Sequence, residues 1–145
     1  MNHHLVLRVV SKLLIPFILL FALYVQFHGD YGPGGGFQAG VLFASAFILY
    51  ALIYGVDNAR EVLPPKALRF LVPVGLIIYA LTGFASIVMG GNYLDYDVLT
   101  HDPQHGQHLG ILVIEFGVGT TVAAVMVTIF YAYAGRTRDV DDEDW

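Results

Sequence analysis

Glu115 stands alone in an apolar run, Ile111-Leu112-Val113-Ile114-Glu115-Phe116-Gly117-Val118-Gly119. A carboxylate among hydrocarbon groups is costly unless it neutralises or finds a polar partner. An ionisable group inside a membrane-crossing segment therefore marks a functional candidate by default. His108 lies seven residues earlier, two helical turns along the same face and about 10 Å away. A histidine at the rim above a carboxylate is the material of a proton or cation relay. The same pair also reads as a buried carboxyl bonded to a neighbouring helix, which would only hold subunits together. Gly119 and Ala123 follow Glu115 at i+4 and i+8, so that face carries small residues and suits a helix interface better than a lipid surface.

The second chemically distinctive stretch is His28-Gly29-Asp30-Tyr31-Gly32-Pro33-Gly34-Gly35-Gly36-Phe37-Gln38-Ala39-Gly40, with six glycines between two apolar runs. Glycines open backbone conformations closed to other residues and let backbones approach closely. Pro33 biases Gly32 away from helix. Gly34-Gly35-Gly36 with Ala39 matches a dinucleotide-binding spacing literally, but that site needs a preceding strand and a βαβ unit. No Lys-Ser/Thr follows, so a P-loop is excluded too. What remains is a shaped turn, followed by a small-xxx-small opening (Gly36, Gly40, then Ala44) that lets two membrane helices touch backbone to backbone. His28, Pro33, Gly34, Gly35, Gly36, Phe37, Gln38 and Gly40 are thus candidates for helix packing and for contact with another subunit.

His101-x3-His105-x2-His108 invites a metal reading, but a metal site also needs a complete ligand set and a second shell. The blander reading is a wet loop running into a helix start. No Ser/His/Asp set and no phosphate cradle appears, and with no cysteine a thiolate site or Cys nucleophile is excluded. The chain does not read as a self-contained enzyme, and it points to no cofactor, no metal and no nucleic-acid partner.

These residues must be held by membrane helices. Of 145 residues, 57% are hydrophobic and 13% charged, about half the charge of a soluble domain. Four runs approach the about 20 apolar residues that cross a bilayer: residues 5–27, 37–56, 68–89 and 109–134. The first could serve as a signal peptide, but Gln26-Phe27-His28 lacks the small-residue cleavage pattern, so a retained span is expected. Pro16 and Pro73 fall inside spans, where neighbouring groups can satisfy the freed carbonyls.

All seven basic residues cluster on one side: Arg8 and Lys12, then Arg60, Lys66 and Arg69, then Arg136 and Arg138. The positive-inside rule then puts both termini in the cytoplasm. The glycine stretch and the longer loop, residues 90–108, face outward. Lys12 is expected to snorkel to the cytoplasmic surface. Tyr93 and Tyr96 suit the membrane boundary, and the outer acidic residues would raise local cation concentration. The expected fold is an all-α integral membrane protein of four transmembrane helices, one domain over residues 1–138, with an acidic tail, residues 139–145.

Four short spans with His28-Gly29 and Pro33-Gly34-Gly35-Gly36-Phe37-Gln38-x-Gly40 opening the second resemble the MnhB family, the B subunit of the Mrp-type multisubunit cation/proton antiporter. The resemblance covers nearly the whole chain. This sequence has Asp30 where the family usually carries a second histidine, and Ala39 where it often carries glycine. The resemblance implies a small integral subunit of a complex that exchanges cytoplasmic Na+ for external H+ across a prokaryotic plasma membrane. Its partners would be the other antiporter subunits and the lipid bilayer. The alternative it leaves open is a structural B-like subunit of a membrane-bound hydrogenase or related ion-coupled redox complex.

Overall fold

The computed structural model describes residues 5–29 and 31–135. Asp30, Arg136, Arg138 and the acidic tail lie outside the described residues. Among the described residues five helices form: α1 (Leu5–His28), α2 (Gly36–Tyr54), α3 (Val56–Val62), α4 (Pro65–Val88) and α5 (Pro103–Ala134), with one 3-10 turn at Tyr96–Leu99. Four of them, α1, α2, α4 and α5, are long and apolar enough to cross a membrane, as the sequence predicts.

The boundaries follow local chemistry. Gly55, with φ +96°, ends α2 and separates it from α3, a conformation that costs glycine little. Pro65 occupies the first turn of α4, where its missing N–H is no loss. The expected fourth span begins at residue 109, whereas α5 begins at Pro103. The Asp102 carboxylate accepts from the Gln104 N–H (3.1 Å) and caps the helix, so the polar residues before Leu109 are already helical. Buried Gly106 and Gly110 then leave room for the backbone and ring of Tyr96 in the 3-10 turn.

The spans pack α1 on α2, α2 on α5, and α5 on α4. Small residues set these contacts. Gly36 meets the Glu115 backbone, and a methyl on Gly40 would lie 2.6 Å from the Gly119 carbonyl oxygen. Because the contacts keep the same order, α2 and α5 run parallel. Gly75 and Gly117 are in mutual contact across α4 and α5, and Thr121 Oγ1 donates to the Val72 carbonyl (3.1 Å) beside Pro73. The core is accordingly built of small side chains with a few larger ones: Ala44, Ala51, Ala59, Leu68, Ala124, Val127 and Tyr131. Close backbone approach replaces the hydrophobic effect as the packing force where the solvent is itself hydrocarbon. Large apolar side chains such as Leu13, Phe17, Leu20, Phe70 and Leu76 face outward.

The end opposite the glycine stretch is tied by α3. Arg60 Nη2 donates to the Tyr131 carbonyl (3.5 Å), its guanidinium carbon lies 5.7 Å from the Tyr131 ring centre, and Tyr131 Oη donates to the Leu63 carbonyl (3.3 Å). A cation at the carbonyl end of α5 also suits the helix dipole.

Candidate functional site

The two distinctive stretches of the sequence form one site. The Glu115 carboxylate projects from α5 into the turn between α1 and α2. A methyl on Gly29 would lie 2.5 Å and 2.6 Å from its two oxygens, and one on Gly35 would lie 2.7 Å from Oε1. Gly35 holds φ +125°, a conformation L side chains rarely adopt, so this position requires glycine twice over: for its backbone and for the carboxylate beside it. Gly36, the first residue of α2, packs on the main chain of Glu115 itself. The glycine run is therefore a cradle for an acidic side chain, and no reading of the sequence joined the two.

This register also sets the depth of Glu115. It lies level with the first residue of α2, at the glycine-turn end of a 19-residue helix. α5 extends about three turns beyond that level.

A cavity of about 130 Å³ opens beside the cradle, lined by Gln26 and Phe27 of α1, Tyr31, and His108, Ile111, Leu112 and Glu115 of α5. His108 and Glu115 thus face one space, as their seven-residue spacing predicts. His108 stacks on Tyr31 with ring centres 5.8 Å apart, and Tyr31 lies 6.2 Å from His28. His28 stacks in turn on Tyr24 at 5.1 Å. A ladder of aromatic and imidazole rings runs from the exposed end of α1 to the cavity mouth.

The other predicted site residues divide. Gly36 and Gly40 are buried against the chain's own α5, so the close helix contact is made within the chain. Phe37 and Gln38, on the outer side of α2, and Pro33 and Gly34 in the turn are exposed. The three loop histidines do not converge. His105 pairs with Asp102 (2.8 Å), His108 turns to Tyr31, and His101 is exposed. Among the described residues no group of three His, Asp or Glu side chains could hold a metal ion. The bonds from the His105 ring and the Gln104 N–H hold the Asp102 carboxyl below its ordinary pKa, while burial and the nearby Tyr79 and Tyr93 push Tyr96 up.

Sequence reasoning missed Gln26, Gly29 and Tyr31. Gln26 is 5% exposed and its Nε2 has no hydrogen-bond partner among the described residues. A lone amide in the apolar run of α1 was the available signal. Tyr31 carried none, since its place depends on how the turn folds back over α5.

The fold and site define a multi-pass helical membrane protein with one acidic site at a helix–helix junction, wrapped by a glycine turn. A family model described as a domain related to the MnhB subunit of Na+/H+ antiporter matches residues 6–128. A Staphylococcus haemolyticus protein, provisionally named antiporter subunit mnhB2, is 39% identical over 133 residues, 90% of this chain and 94% of the relative. Its counterpart of the same name in Staphylococcus aureus (strain Newman) is 36% identical over the same shares. The chain belongs to the MnhB family, a family of transporter subunits rather than enzymes.

Proposed function

We propose that this chain is an integral subunit of a multisubunit Na+/H+ antiporter, working in the plasma membrane of a prokaryote with both termini cytoplasmic. Glu115 and His108 line an ion route at its boundary with a partner subunit. The observation that carries this reading is the Glu115 carboxylate held at Gly29 and Gly35 and opening on the cavity shared with His108. A carboxylate near the edge of the hydrocarbon can exchange a proton or a Na+ with the outer phase without crossing the full barrier of the bilayer centre. Other subunits of the complex supply the rest of the route, and the exposed Phe37, Gln38 and Pro33 contribute to their docking.

A second reading has its own support. The Glu115 side chain also fills the space at Gly29 and Gly35, so it helps to join α5 to the turn between α1 and α2, and the subunit then acts as a scaffold. Glu115→Gln and Glu115→Ala in membrane vesicles separate the two, with assembly followed on native gels and exchange by a pH-sensitive dye. Assembly with lost exchange supports the route. Assembly with normal exchange sinks it, and lost assembly in both variants favours the scaffold.

A further inference from the structure

A second cavity, of about 340 Å³, runs along α5 below the Glu115 cradle, with walls from α1, α2 and the first turns of α4. Phe27 and Phe116 stand at its mouth, both more than half exposed, half-buried Ala123 lines it, and Leu63 and Val127 lie at its far end. Only two polar side chains line it, Gln26 and Thr120, and Thr120 already donates to the Phe116 carbonyl (2.8 Å). A buried water needs two to four polar partners, so water does not suit this space, and an empty groove forfeits dispersion contacts along its whole lining.

Its dimensions select the occupant. From Phe116 to Val127 the groove follows α5 for about 16 Å, close to the about 15 Å of one leaflet's hydrocarbon. A helix about 10–12 Å across would fill more than about 1,000 Å³ along that length, whereas the space is about 340 Å³. The groove is too small for a partner helix, and its apolar lining along one helix suits a hydrocarbon chain.

Gln26 gives the groove a polar end. It lies two residues before the end of α1, about 3 Å along the axis, and its amide sits beside Gly119, one turn past Glu115 on α5. Its Oε1 is turned toward Gly119, and its buried Nε2 lacks an acceptor among the described residues, a rare state that calls for an explanation. We propose that the groove holds one acyl chain of a membrane phospholipid, with the ester carbonyl of that chain accepting from the Gln26 amide. The bound chain would fill the junction of α1, α2 and α5 directly beneath the Glu115 site. This inference does not depend on Glu115 carrying ions.

The test uses the assembled complex reconstituted with a phospholipid bearing a photoreactive diazirine near the middle of one acyl chain, with labelled peptides mapped by mass spectrometry. The exposed face of α1 at Leu13 and Phe17 provides the background of ordinary lipid contact. The expected result is that, when unlabelled lipid is exchanged in before illumination, the α2 and α5 groove segments are still labelled while the α1 face is not. Ala123→Leu, which adds bulk to the lining, should remove the persistent label, and Gln26→Leu, which removes the donor but keeps bulk, should lower it about tenfold. An unlabelled groove with a labelled α1 face overturns the proposal and assigns the space to partner side chains. Persistent label that both variants leave unchanged overturns it as well. If Ala123→Leu fails to assemble, Gln26→Leu alone decides.

Discussion

Gly29→Ala tests the cradle most directly, because the structure predicts that it moves a charge without unmaking the fold. The added methyl would sit 2.5 Å from Glu115 Oε1, where ordinary contact begins at about 3.4 Å, so the carboxylate must retreat by about 0.9 Å. The obstructed atoms are the tip of a flexible side chain, and a rotamer adjustment costs about 0.5–1.5 kcal/mol. Gly29 has no positive φ, so alanine brings no backbone strain. Assembly should persist. A 1 Å misplacement of a working group can cost about a hundredfold in rate, and a tenfold or larger loss of Na+-driven proton exchange is expected. The assay is dye-monitored exchange in everted vesicles, with the amount of complex measured on native gels in the same preparation. Normal assembly with full exchange would refute the idea that the position of the carboxylate matters. Lost assembly would refute the claim that the side chain can yield.

The remaining expectations concern packing, the tie between α3 and α5, and the loop before α5. Gly40→Ala places a methyl against a backbone carbonyl that cannot rotate away, so it should destabilise by about 1–3 kcal/mol, read as a lower melting temperature and less assembled complex; unchanged melting would show that α2 and α5 are not in this register. Arg60→Ala removes a part-exposed bond to Tyr131 and a contact with its ring, and should cost about 0.5–1 kcal/mol, whereas Arg60→Lys should recover part of it. The Asp102 carboxyl, held below its usual range by His105 and the Gln104 N–H, contributes its cap fully above about pH 4 and loses it as pH falls through the depressed value. Hydrogen-exchange protection of the Gln104 amide should therefore survive at pH 5 and fail only below about pH 4; an onset near pH 6 would contradict the assignment. Asp102→Asn should keep much of the cap, since asparagine also accepts there.

Hydrophobic length and charge placement made the four spans legible in the sequence, because a bilayer asks only for enough apolar residues in a row and pairs every backbone group within the helix. Glycine and proline punctuation marked the turn before Gly36, whereas the expected second span ran to residue 56, through the break at Gly55 and into α3. The start of α5 was less visible, since Gln104 to His108 look like loop until the Asp102 cap and the glycines facing Tyr96 are seen. At the site, Glu115 and His108 could be paired from their spacing alone, because both stand on one helix whose geometry is fixed by its repeat.

Other features depended on contacts between segments far apart in the chain. The sequence by itself determined a four-span helical protein with one intramembrane acid and a glycine-rich turn. Only the tertiary structure decided that the turn closes over that acid, with Gly29 and Gly35 making room for its carboxylate and Gly36 for its backbone. The physical reason is that glycine records where space is needed and not what fills it. The parallel register of α2 on α5, set by Gly36 on Glu115 and Gly40 on Gly119, supplies the missing identity.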